Sequence, residues 1–169
     1  MGRDDRDPPM TSLWKDLLMP LFMTRPFTWI GLNVFGRLDP ILMRLTNGQV
    51  YSSRPLGLLS ILLTTTGAKS GQPREVTLLA FEDGRDLFVI ASRGGNARHP
   101  GWYHNLKRDP RAMAVWNGRR EKRIAHEAES PERERLWRLA MSAYPTYDRY
   151  QERAGGRRIP VIVFTLPVR

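Results

Sequence analysis

The stretch Leu58-Leu59-Ser60-Ile61-Leu62-Leu63-Thr64-Thr65-Thr66, followed by Gly67-Ala68-Lys69-Ser70-Gly71-Gln72-Pro73 and then Arg74, decides the fold. Its first nine residues are apolar or β-branched without a break, which predicts a strand rather than a helix. The seven that follow are small, polar or turn-forming, so the chain must reverse there. A second strand is expected over 74–81, a turn at Asp83-Gly84, and a third strand over 86–92 that is apolar on both faces. Three strands joined by short loops predict an antiparallel meander.

Downstream the same alternation continues. His99-Pro100-Gly101-Trp102-Tyr103-His104-Asn105-Leu106 has a proline near its first turn and predicts a short helix ending around Asp109-Pro110. Residues 111–116 and 119–127 predict a hairpin, because Asn117-Gly118 supplies the positive φ angles of a tight turn. Ser130-Pro131 is expected to cap a helix whose Leu136, Leu139, Ala140, Ala143 and Tyr144 share one face. The apolar run 161–166, with Pro160 at its start, is expected to close the sheet. The fold class is therefore α+β: a small, mostly antiparallel β-barrel with flanking helices.

Upstream, Trp14, Leu17, Leu18, Leu21 and Phe22 fall on one face at helical spacing. Packing on the barrel is the preferred role for this stripe; peripheral contact with a membrane surface is the other. Pro26, Pro40 and Gly48 interrupt a ragged apolar segment over 27–45, read as helix and loop. The organisation read here is a disordered tail over 1–10, a helix-and-loop segment over 11–57 and the barrel over 58–169. No apolar run reaches the roughly 20 residues a membrane span requires. No cleavable signal pattern follows the charged, proline-broken start, so a cytoplasmic protein is expected, with the inner face of the cell membrane as a peripheral site. Nothing in the sequence sets an oligomeric state.

The 169 residues carry 27 Lys+Arg against 17 Asp+Glu, a formal charge of +10. That field favours an anionic partner: nucleic acid, acidic lipid, or a phosphorylated small molecule. There is no cysteine, which excludes disulfides, thiolate metal sites and thiol nucleophiles. Walker, Gly-x-Ser-x-Gly and Gly-x-Gly-x-x-Gly motifs are missing, and His99, His104 and His126 are too dispersed to predict a metal site. What remains is a set of loops with anion-binding character. Lys69 and Ser70 lie in the first hairpin loop, Arg74 starts the returning strand, and Ser92-Arg93-Gly94-Gly95 follows the third. Small residues expose backbone N–H groups beside these cations, and the short helix adds its N-terminal dipole. Residues from Thr64 to Asn105 are thus expected to form an anion site, with Arg98 as an additional cation.

Thr64-Thr65-Thr66-Gly67-Ala68-Lys69-Ser70-Gly71-Gln72-Pro73-Arg74, Ala91-Ser92-Arg93-Gly94-Gly95 and His99-Pro100-Gly101-Trp102-Tyr103-His104-Asn105-Leu106 together resemble the deazaflavin-dependent nitroreductases, the F420H2-dependent reductase family. The likeness continues in Tyr144-Pro145-Thr146-Tyr147-Asp148-Arg149-Tyr150 and Arg158-Ile159-Pro160-Val161-Ile162-Val163. It implies a split β-barrel that holds coenzyme F420, an 8-hydroxy-5-deazaflavin with a phosphate and a glutamate tail. It further implies hydride transfer to a small electron-poor acceptor: a quinone, an enone or a nitro compound. By position, Ala68, Lys69, Ser70 and Arg74 would meet the phosphate and tail. Glu75, Val76, Thr77, Leu78 and Leu79 would line the ring through backbone atoms, and Ile90, Ala91, Ser92 and Arg93 would border it. Gly101, Trp102, Tyr103, His104 and Asn105 would complete the wall. Tyr144, Tyr147 and Tyr150, with Ser92, would face the acceptor as the catalytic candidates. Ala68 stands where the family often has Arg, and Thr77 where Pro is common.

Two alternatives remain at the level of sequence. An oxidoreductase of the same barrel could hold FMN, with its phosphate in the same loops. A nucleic-acid-binding module would use Arg119, Arg120, Lys122 and Arg123 near Trp116, although charges beside a hairpin turn are ordinarily a solvated face, which disfavours it.

Overall fold

The computed structural model describes residues 36–167. The expected tail, the amphipathic stripe at Trp14 to Phe22 and most of the helix-and-loop segment lie outside the described residues. The first described element is α1 (Gly36–Leu45), which carries Pro40 inside it, one residue past the first turn, at the loss of one backbone N–H bond. A short 3-10 turn at Arg54–Leu56 leads into the barrel.

Six strands form one closed antiparallel barrel: β1 (Ser60–Thr66), β2 (Pro73–Asp83), β3 (Asp86–Ile90), β4 (Arg111–Trp116), β5 (Arg119–Glu127) and β6 (Val161–Thr165), in the order β1-β2-β3-β6-β5-β4. The predicted meander, the 111–127 hairpin and the closing C-terminal strand are all present. β6 inserts between β3 and β5, pairing Val89 with Ile162 on one side and Ala125 with Phe164 on the other. Asn117 and Gly118 both have positive φ, as the hairpin turn requires, and Gly84 does so in the β2–β3 turn.

β3 is apolar on both faces because it separates two cores. Leu87 and Val89 point into the barrel with Ile61, Leu63, Ala114, Trp116 and Phe164. Phe88 and Ile90 point outward, under the helices. α2 (Gly101–Arg108) packs on the other core, and the helices over that outer face are α3 (Glu132–Ala143) and α4 (Thr146–Arg153). α2 packs Trp102 and Leu106 against the barrel interior, whereas α3 and α4 set Leu136, Ala140, Tyr147 and Tyr150 on its outer face.

Several boundaries differ from expectation, each for a local reason. Leu58 is held to the 3-10 turn by its amide bond to Ser53 O, so β1 begins at Ser60. β2 is longer at both ends than 74–81, because Pro73 and Asp83 still pair with Thr66 and Asp86. β3 ends at Ile90: the Ser92 amide turns back to Ile90 O, 2.8 Å, and starts a 3-10 turn at Arg93–Gly95. Ser130 does not cap α3; its hydroxyl donates to the Glu134 carboxylate at 2.5 Å, and Pro131 occupies the cap position. The α3 face is narrower than expected, with Leu139 and Ala143 exposed. Arg123 is not part of a solvated face either. It pairs with Ala112, whose side chain points inward, is 3% exposed, lies 5.4 Å over the Trp116 ring and donates to Arg85 O and Phe164 O.

Candidate functional site

One large cavity, of about 1040 Å3, runs along β2 from the β1–β2 loop to the 3-10 turn before β1. Its mouth is basic. Lys69, Arg74 and Arg93 line it with exposed side chains, and no described carboxylate pairs with any of the three. Glu75, the acid nearest in sequence, is engaged by Arg44 of α1. The Arg74 guanidinium approaches Ser70 Oγ at 3.5 Å, which sets the two groups side by side.

The loops around the mouth are held from behind. Asn105 of α2 accepts from the Ala68 amide at 2.9 Å and donates to Thr65 Oγ1 at 3.0 Å. Both ends of its amide are thereby spent on fixing the Lys69 loop against α2. A Cβ on Gly67 would sit 2.6 Å from Ser70 Oγ and 3.0 Å from Gln72 O, so a side chain there would displace the Ser70 hydroxyl. In the loop after β3, Ser92 is right-handed and Arg93 left-handed (φ 49°), a succession that turns adjacent N–H groups to one side as an anion nest. Gly95 (φ 80°) lets this loop lie on α4, because a Cβ would come within 2.9 Å of Tyr150 O.

The middle of the cavity is apolar, with Val76, Leu78, Ile90 and Trp102 on its walls. Tyr144, Tyr147 and Tyr150 form a ring cluster on one side, with centroids 5.2 Å and 6.0 Å apart in successive edge-on pairs. Burial pushes the phenols of Tyr144 and Tyr147 well above the ordinary tyrosine value, so both keep their protons at neutral pH. The Tyr147 ring is 3% exposed, braced by Phe81 and Trp137, yet the residue lines the cavity. Cations at the mouth, an apolar waist and protonated phenols suit a planar ring with an anionic tail, with a second small molecule beside it.

A model of the F420H(2)-dependent quinone reductase family matches residues 37–166. The chain belongs to that family. It is 39% identical over 132 residues to an F420H(2)-dependent quinone reductase of Mycobacterium tuberculosis (strain ATCC 25618 / H37Rv), covering 76% of this chain and 88% of that protein. Among solved structures it resembles an F420-H2 dependent reductase (FDR-A): 41% identity, TM-score 0.58, 63% of this chain and 93% of that one. A second, described as a domain-swapped dimer, is 35% identical with a TM-score of 0.60, over 76% and 97% of the two chains.

Of the residues the resemblance to F420H2-dependent reductases singles out, most line this one cavity: Ala68, Lys69, Ser70, Arg74, Glu75 to Leu79, Ile90, Ser92, Arg93, Gly101, Trp102, His104, Asn105 and the three tyrosines. Three candidates do not. Ala91 is fully buried behind the wall, and its amide bonds Pro160 O. Arg98 is exposed and does not line the cavity. Tyr103 lies behind the wall too, donating to Glu127 at 2.8 Å and stacking on His99 at 4.4 Å; burial and that carboxylate push its phenol up to about 12.

Two groups escaped sequence reasoning. Arg157 reaches back to bond Ala91 O, Ser92 O and Asn96 O and to touch His99 Nδ1, tying the nest loop to the wall. Asp39, Ser52, Ser53 and Ser60 line the far end of the cavity, although the segment before Leu58 carries no motif. Arg157 sits in a Gly-Gly-Arg-Arg run that reads as solvated loop, so only the fold reveals its partners.

Proposed function

We propose that this chain is an F420H2-dependent reductase that passes a hydride to a quinone within the β2 cavity. Family membership carries the reading, and the basic mouth opening onto an apolar waist with protonated phenols supports it. The bound deazaflavin supplies the hydride. Lys69, Ser70 and Arg74 would hold the phosphate and tail, while the N–H groups of Arg93 and Gly94, next after Ser92 in the nest, would add backbone donors. Backbone atoms of Glu75 to Leu79 hold the ring edge, and Trp102 and Ile90 exclude water from it. Tyr147, flanked by Tyr144 and Tyr150, donates a hydrogen bond to the acceptor oxygen, which gains negative charge as the hydride arrives. Reduction of a quinone to a hydroquinone needs one hydride and one proton; the buried phenol, which keeps its own proton, stabilises the developing oxyanion by a hydrogen bond until solvent supplies the proton. FMN is the weaker choice of cofactor, since no relative above carries that name.

Removal of one tail contact should show in binding before it shows in turnover. Lys69→Ala is expected to raise the Kd for F420 about tenfold, the scale of one charge-assisted hydrogen bond, with kcat at saturating cofactor within about twofold of wild type. Fluorescence titration of the cofactor at two salt concentrations checks this, and an unchanged Kd would place the tail elsewhere.

A further inference from the structure

The far end of the cavity differs in chemistry from the mouth. It is lined by Asp39 of α1, by Ser52 and Ser53 ahead of the 3-10 turn, and by Ser60 at the start of β1, with Leu56 and Leu79 beside them. Asp39 is 5% exposed and Ser60 3% exposed, so this end is built from buried polar side chains. No described cation lies within ion-pair distance of Asp39. Its two oxygens accept from Ser52, the amide at 3.0 Å and the hydroxyl at 2.7 Å.

A serine hydroxyl has one proton to give. Ser52 spends its proton on Asp39 Oδ2. Ser53 donates to Leu58 O at 2.9 Å. The 2.8 Å contact between Ser53 Oγ and Ser60 Oγ must then use the Ser60 proton. All three hydroxyl protons are committed inside the wall. What these four side chains offer to the cavity is only lone pairs, on a carboxylate and on serine oxygens.

The geometry points to an acceptor subsite that recognises a neutral quinone bearing a hydroxyl donor, with Asp39 and Ser60 as specificity-determining residues. An O–H group there completes the unused lone pairs, whereas a carbonyl or carboxylate meets only like-signed atoms and is rejected. The basic mouth draws in the anionic cofactor tail, and the acidic far end keeps anionic acceptors out, so the two ligands cannot exchange places. The inference rests on the quinone-reductase reading of the cavity.

The test compares a hydroxymethyl-substituted naphthoquinone with its methyl-substituted counterpart, using wild type, Asp39→Asn and Ser60→Ala. The ratio of kcat/KM for the two acceptors is compared between proteins, so that intrinsic quinone reactivity cancels. The wild-type ratio should exceed that of Asp39→Asn by roughly tenfold, the scale of a hydrogen bond to a charged group, and that of Ser60→Ala by roughly fivefold, the scale of a neutral one, mainly through KM for the hydroxymethyl compound. The Kd for F420 should stay within about twofold. Calorimetric binding of the hydroxymethyl compound to the cofactor-free protein should weaken in parallel, and this arm does not depend on turnover. Ser60→Ala removes a single oxygen and keeps the Ser53–Leu58 bond, so it guards against an Asp39→Asn protein that folds poorly. Equal ratios and equal calorimetric affinities in all three proteins would overturn the subsite while leaving the reductase reading intact. A wild type that oxidises no reduced F420 with either quinone would overturn the reductase reading, and the calorimetry would still decide the subsite.

Discussion

Tyr147→Phe is expected to lower kcat for quinone reduction about a hundredfold, the usual contribution of a hydrogen-bond donor aimed at a developing oxyanion, with the Kd for F420 nearly unchanged. The ring is held by Phe81, Trp137, Tyr144 and Tyr150 at centroid distances of 5.2 to 6.3 Å, and a phenylalanine keeps every one of those contacts. Only the hydroxyl is lost. Because burial raises this phenol, the wild-type rate should not fall as pH rises through the ordinary tyrosine value, where an exposed tyrosine would lose its proton. Steady-state kinetics across pH, with cofactor titration alongside, reads both effects. A variant with wild-type kcat would move the hydrogen-bond donor to another residue, with Tyr144 and Tyr150 the next to replace.

The second large effect is structural in origin and functional in outcome. Arg157→Ala removes the donors to Ala91 O, Ser92 O and Asn96 O and the contact with His99. Ala91 is itself buried, so its carbonyl would be left without a partner, at about 1–3 kcal/mol, whereas Ser92 O keeps its bond from the Gly95 amide. A destabilisation of about 3 kcal/mol is expected in denaturant unfolding. The nest at Ser92 and Arg93 should loosen, raising the Kd for F420 by at least tenfold. Arg157→Lys should rescue neither property, since one ammonium cannot span the carbonyls that a planar fork reaches. Full rescue by lysine would mean that charge alone, rather than geometry, holds the loop.

These two residues also show what the sequence could disclose. The barrel was readable because β1, β3 and β6 are unbroken apolar runs separated by Gly-rich turns, and period and turn chemistry are local properties. Tyr147 was reachable because it belongs to a spaced motif, Tyr144 to Tyr150, that resembles a known family. Arg157 and Asp39 were not, since their partners lie 58 to 66 positions away for Arg157 and 13 for Asp39, and neither stands in a motif. Arg123 misled for the same reason: beside Arg119, Arg120 and Lys122 it reads as surface charge, and only the register opposite Ala112 turns it inward. The resemblance puts Tyr103 in the cavity wall together with Trp102 and Asn105, and the structure does not. On a helix, adjacent residues point about 100° apart, and Tyr103 turns toward Glu127 instead.

The central claim is that the β2 cavity joins reduced F420 to a quinone. Its most direct test is anaerobic stopped-flow mixing of reduced F420 with a quinone in the presence of the protein. The account predicts that the reduced cofactor and the quinone disappear one for one, at a rate that saturates with both and collapses in Tyr147→Phe. No acceleration over the protein-free reaction with any quinone, together with tight binding of FMN, would contradict it.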